Sequence, residues 1–164
     1  MAGDWELVPS RIHMKDLDRS VRLVVYEHFA RTGRSPSIED IANANGCTVE
    51  DVEASLARLE VEHHALALAP ATKNIWMAHP FSAVPTAFRV DTPNMAFWGN
   101  CAWDALAIPA LLDLDASVPA RSAESGEPMD LTFRNGELVD VGGGDGVVHI
   151  VVPPRRFWDN VGFT

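Results

Sequence analysis

A chain of 164 residues with 47% apolar side chains and 22% charged ones has enough material for one well-buried domain or two small ones sharing an interface, and it is expected to fold. Its formal net charge of −10 argues against diffuse attraction to nucleic-acid phosphates or anionic lipid. The longest apolar runs, 21–26 and 105–112, fall far short of the roughly 20 residues that span a bilayer.

The N-terminus, Met1-Ala2-Gly3-Asp4-Trp5-Glu6, shows no basic stretch followed by a hydrophobic run, so no signal peptide is read there and a cytoplasmic location is the default. Cys47 and Cys101 lie in different halves of the chain and are expected to remain thiols in a reducing compartment. Neither has a second cysteine nearby to build a zinc site of the usual spacing.

In chain order, Leu17, Val21, Val24, Val25, Phe29 and Ala30 recur at close to helical spacing, which predicts a helix over 17–31 that Gly33 ends. Ser37, with Asp40 three residues on, forms a capping-box signature for a short helix over 38–45, stopped by Gly46. Thr48 and Asp51 repeat the signature, and Val49, Val52, Leu56 and Leu59 line one face of a third helix running to His63-His64, where the histidines suit the helix dipole. The three helices with their tight turn form a helix-turn-helix arrangement. Apolar runs at 65–69 and 75–78, separated by a turn, predict a hairpin placed like the wing of a winged helix.

Pro80, Pro85 and Pro93 punctuate an extended connector with a short strand around 87–90. A helix is predicted from about residue 100, with Asn100 as N-cap, Cys101 as first helical residue and Pro109 bending or ending it. Strands at 129–134, 137–141 and 147–152, the first two joined by Asn135-Gly136, predict an antiparallel meander. The fold class is therefore α+β: a three-helix winged-helix-like domain over 1–80, then a mixed α/β domain over 81–164.

Cys101 and Asp104 are the strongest chemical pair. Three residues apart on a helix, they share a face. A cysteine in the first turn is expected to be favoured as thiolate by unsatisfied N–H groups and the dipole. Asp104, among Phe97, Trp98, Trp103 and Leu106, is expected to be shifted by burial toward holding a proton. A soft electrophile could be taken by the sulfur while the acid protonates a leaving group. A cysteine on an apolar helix is also a common small core residue, and spacing leaves both readings open.

The stretch Trp98-Gly99-Asn100-Cys101-Ala102-Trp103-Asp104-Ala105-Leu106-Ala107-Ile108-Pro109-Ala110-Leu111 resembles the active-site helix of the alkylmercury lyases, in which Cys-Ala-x-Asp precedes an apolar turn and Pro-Ala-Leu. Ser122-Ala123-Glu124-Ser125-Gly126-Glu127-Pro128 and Leu131-Thr132 are similar to a turn and strand of that family, and the family's winged-helix-like N-terminal domain matches the front half. The likeness spans about 17–164, with its specificity in 98–111.

The resemblance implies protonolysis of a carbon–mercury bond, giving a hydrocarbon and Hg(II). Cys101 would be the nucleophile and ligand of the substrate mercury, and Asp104 the proton carrier. Phe97, Trp98 and Trp103 would wall the pocket. No cofactor is implied; the partners are a small organomercurial and cellular thiols, which would release the product. The family also uses a second, late cysteine, absent after Cys101 here. Its expected place is at or just after Gly162-Phe163-Thr164, so the chain is read as truncated there, for example before a codon specifying selenocysteine.

Gly142-Gly143-Gly144-Asp145-Gly146 lacks the Lys-Ser/Thr and the following helix of a phosphate loop and is read as a hairpin turn. Arg155-Arg156 is read as a solvated pair, and His79 and His149 are left unassigned. The rival functions are a winged-helix transcriptional regulator and a metal-binding sensor with a non-catalytic core. Against DNA binding, the third helix carries Glu50, Asp51, Glu53, Glu60 and Glu62 against Arg58 alone.

Overall fold

The computed structural model describes residues 14–122, 124–142, 147–148 and 154–159. Helix α1 (Asp16–Thr32) buries Val21, Val25 and Phe29, one turn apart along one face. It ends at Gly33, whose φ of 68° directs its N–H back to the Phe29 carbonyl. Helices α2 (Ile38–Asn45) and α3 (Val49–Val61) both open on the capping boxes read from the sequence, Ser37 with Asp40 and Thr48 with Asp51. Val52, Leu56 and Leu59 of α3 face the core.

Between α1 and α3 lies a buried ion pair. Arg58 donates to both carboxylate oxygens of Asp18 at 2.9 and 2.6 Å, and the Ser55 hydroxyl donates to Oδ1 at 2.7 Å. Burial opposes ionisation of Asp18, but the donors and charge of Arg58 and the Ser55 hydroxyl outweigh it and hold the carboxyl below its usual range.

Strands β1 (Ala67–Leu68), β2 (Ile75–Ala78) and β3 (Phe81–Ser82) form an antiparallel sheet in that order. The first hairpin is the predicted one, although β1 is shorter than 65–69; the Ala65 N–H instead returns to the Leu59 carbonyl. The pairs Ala78↔Phe81 and Met77↔Ser82 carry this sheet past residue 80 through a tight hairpin.

The second sheet is antiparallel, in the order β5-β4-β6-β7-β8, from β4 (Arg89–Asp91), β5 (Ala96–Trp98), β6 (Ala116–Val118), β7 (Leu131–Arg134) and β8 (Glu137–Asp140). Helix α4 (Ala102–Leu111) connects β5 to β6 and lays Ala105 and Ile108 into the core. It continues to Leu111 with Pro109 inside its last turn, so the proline does not end it, although it has no N–H to offer the Ala105 carbonyl. The Asn135-Gly136 turn joins β7 to β8 with both φ angles positive, as a two-residue hairpin requires.

The α+β class thus holds, and among the described residues a meander runs β6-β7-β8: β7 and β8 are the first two predicted strands, and β6 lies at a place the sequence left unassigned. Residues 147–148 are not in a strand, and 149–152 of the predicted third strand, most of the glycine turn at 143–146, His149 and the segment 160–164 lie outside the described residues. One apolar cluster runs from Val21, Phe29 and Leu56 through Phe81 to Val90, Ile108 and Phe133, so among the described residues helices α1 to α4 and both sheets share a core. Among the described residues no helix is long and apolar enough to cross a membrane.

Candidate active site

The site forms where the turn from β5 into α4 meets the β2–β3 hairpin. Gly99 forms a bridge with Phe81, its N–H bonds the Phe88 carbonyl, and its carbonyl accepts from the Thr86 hydroxyl at 2.6 Å. A Cβ on Gly99 would stand 2.8 Å from the Ala105 nitrogen, so only glycine lets the turn lie this close to the first turn of α4.

Cys101, not Asn100, is the N-cap of α4, with extended φ and ψ of −145° and 179°. Asn100 is drawn away from capping because its amide nitrogen is engaged across the site, 3.3 Å from the Phe81 carbonyl and 3.2 Å from Oδ2 of Asp104. The Cys101 thiol donates to that same Oδ2 at 3.6 Å. Asp104 is buried, with 8% of its surface exposed. The predicted pair therefore meets on one face of the first helical turn.

The expected thiolate preference of Cys101 is not what the surroundings produce. Burial pushes the thiol pKa up. Backbone N–H groups of Asp104 and Trp103 pull it down, as the helix start predicts, but the charge of Asp104 and its hydrogen bond to the thiol act with burial, and the net shift is upward. The resting sulfur is therefore held as a thiol.

Two side chains that the sequence left without a role join the pair. His79 places Nδ1 3.4 Å from Asp104 Oδ2 and 3.2 Å from the Asn100 amide nitrogen. Trp158, in the 3₁₀ turn Pro154–Asp159, sets its ring edge-on to His79 with centroids 5.8 Å apart and stacks on His64 at 4.9 Å. No local pattern marks either, since both approach the site from distant parts of the chain. Asn100 Oδ1 is buried without a hydrogen-bond partner among the described residues.

The three aromatic residues named as pocket walls are placed differently from one another. Phe97, 1% exposed, is a core residue whose ring packs on Phe81 at 5.9 Å. Trp98 points to the other face of its strand and is half-buried under the Arg89 guanidinium. Trp103 is 63% exposed, on the surface of α4. Cys47 is a free, half-buried cysteine packed against the apolar core. A depression of about 310 Å³ lined by Asp91, Thr92, Asp115, Ser117, Thr132 and Arg134 shares no residue with the Cys101 cluster. Among the described residues no three His, Cys, Asp or Glu side chains are grouped to hold a metal ion.

Comparison with known proteins points to one family. The family model described as MerB: Alkylmercury lyase matches residues 81–164. The chain is similar to alkylmercury lyases of Bacillus cereus and Clostridium butyricum, each 29% identical over 124 residues covering 74% of this chain and 53% of the relative. It thus spans about half the length of the curated relatives it matches. Among solved structures it is similar in fold to the mercury-bound form of MerB2, with a TM-score of 0.60 and 23% identity over 77% of this chain and 59% of that one.

Proposed function

Because the chain belongs to the alkylmercury lyase family, we propose that it cleaves carbon–mercury bonds by protonolysis, with Cys101 as the mercury ligand and Asp104 as the proton carrier. The observation that carries this is the Cys101 thiol donating to Asp104 Oδ2 across one helical turn.

The proton balance follows from that contact. Mercury is soft and takes sulfur as its first ligand. As the Cys101 sulfur bonds to it, the thiol proton passes to Asp104 Oδ2. The carbon–mercury bond then breaks, its electron pair stays with carbon, and carbon takes the proton from Asp104. Hydrocarbon leaves and Hg(II) remains on sulfur, from which small cellular thiols remove it. A thiol with a raised pKa suits this sequence, because it keeps its proton until the metal displaces it.

Phe97 supports the site from beneath, through Phe81, whose carbonyl holds Asn100. Trp98 and Trp103 are assigned to the surroundings of the organic group on sequence proximity alone. The three helices and the β1–β2 hairpin are read as a winged-helix-like unit that packs on the catalytic part without binding DNA. In support, the one basic residue of α3, Arg58, is committed to Asp18 rather than free to meet a phosphate. A cytoplasmic setting, rich in thiols, fits the proposed product release.

The experiment is release of benzene from phenylmercury in excess thiol, comparing the chain with Cys101→Ser and Asp104→Asn. The expected result is release by the unaltered chain, none with Cys101→Ser, and a fall of about 10²–10⁴-fold with Asp104→Asn although mercury is still retained. Retention of mercury without hydrocarbon from the unaltered chain would make it a binding protein instead.

A further inference from the structure

We propose that His79 is a positioning residue for the acid: with its hydrogen on Nδ1, it donates to Asp104 Oδ2 and, with Asn100, holds that oxygen against the sulfur of Cys101. The role rests on the reading of Asp104 as proton carrier.

The assignment comes from counting hydrogens. The Asn100 amide nitrogen has two, and among the described residues three atoms lie within reach of it: the Phe81 carbonyl at 3.3 Å, Asp104 Oδ2 at 3.2 Å and His79 Nδ1 at 3.2 Å. If Nδ1 were a bare acceptor, one of the three would go unserved, and its lone pair would face the carboxylate oxygen at 3.4 Å. With the hydrogen on Nδ1, the amide serves the two oxygens and the imidazole donates to Oδ2. Turning the amide over is disfavoured by the same contacts. Its oxygen would then face two other oxygens, and the one remaining donor for it would again be Nδ1–H.

Oδ2 is then the meeting point of three donors: the Cys101 thiol, the Asn100 amide and the His79 imidazole. A carboxyl group otherwise turns freely about its last bond and presents either oxygen. Two fixed donors on one oxygen remove that freedom and keep it beside the sulfur where substrate carbon would be bound. His79 is itself fixed, with the Trp158 ring edge-on against it. Its backbone lies just past the end of β2, on the hairpin that also supplies the Phe81 carbonyl.

The test compares His79→Asn, His79→Gln and His79→Leu for kcat and KM on phenylmercury, and reads the His79 tautomer in the unaltered protein by ¹⁵N NMR of the imidazole. Asparagine puts an amide nitrogen where Nδ1 was and is expected to keep kcat within about threefold. Glutamine, which reaches instead toward the place of Nε2, and leucine are expected to lower kcat by about 10–100-fold with KM little changed, the scale of a misplaced reacting group. The NMR spectrum should show hydrogen on Nδ1. Unchanged kcat in His79→Leu or His79→Gln, a loss in His79→Asn as large as in His79→Leu, or hydrogen on Nε2 alone overturns the proposal. If the unaltered protein releases no hydrocarbon, the lyase reading fails separately, and the tautomer alone decides whether His79 holds the carboxyl.

Discussion

A sulfur at the start of a helix feels the unpaired N–H groups of the first turn, and in open solution those groups would favour the thiolate. At Cys101 the sulfur is partly withdrawn from water and shares its turn with a carboxylate, and these reverse the balance. Spacing made the pairing of Cys101 with Asp104 legible, because residues three apart on a helix must share a face. It did not reveal the direction of the shift, which is set first by how far the fold withdraws the sulfur from water. The pH dependence of Cys101 alkylation, followed by mass spectrometry so that Cys47 is counted apart, checks this. An acid whose pKa is raised stays protonated through neutral pH, so the rate should climb with a midpoint above the roughly 8.5 of an ordinary thiol. Asp104→Ala removes the charge and the acceptor and should bring the midpoint down. A midpoint at or below the ordinary value in the unaltered chain would mean that the helix start dominates after all.

Among the elements, those with their own chemistry were readable. The capping boxes at Ser37 and Thr48 start helices because the side chains satisfy N–H groups a few residues away, a purely local matter. The start of α4 was misjudged by one residue because Asn100 is a good cap by type, yet its amide is claimed by Phe81 and Asp104. Strands β5 and β6 span three residues each and owe their pairing to partners elsewhere, so no alternation could announce them. What sets α4 in place is the backbone contact at Gly99. Adding a methyl group there meets the Ala105 nitrogen at 2.8 Å and its Cα at 3.1 Å, neither of which is the end of a flexible side chain. Gly99→Ala is therefore expected to cost about 1–3 kcal/mol by overpacking. Calorimetry should show Tm lower by about 2–4 °C for each of those kcal/mol. Hydrocarbon release should fall more than stability does, since the helix that must shift carries both Cys101 and Asp104. An unchanged Tm together with unchanged release would show that the turn yields without moving the site.

At the scale of the molecule, the two halves read from the sequence are joined more closely than composition or linkers suggested. The prolines at 80, 85 and 93 looked like a connector, but Phe81 pairs backward with Ala78, stacks on Phe29 and packs on Phe97, tying the first helix to both sheets. Gly33 adds a second tie, since a Cβ there would stand 2.6 Å from the Ala96 carbonyl oxygen of β5. A core shared in this way should unfold as one unit. The Asp18–Arg58 pair tests it from a point far from the site. Its carboxyl is held below the unfolded value, so its contribution is present above the unfolded pKa of about 3.9 and is lost as pH falls through the lower folded one. Arg58→Ala leaves Asp18 buried without its cation and should cost about 3 kcal/mol at neutral pH. In this variant the sign at acid pH reverses: protonating Asp18 relieves the unpaired charge, so its deficit relative to the unaltered protein should shrink as pH drops. If the core is shared, urea should remove the helical far-ultraviolet signal and the Trp98 fluorescence, read with the other tryptophans replaced by Phe, at one midpoint, and Arg58→Ala should lower both together. Two separated midpoints, with only the helical one moved, would mean that the front half folds independently of the sheet that carries Trp98.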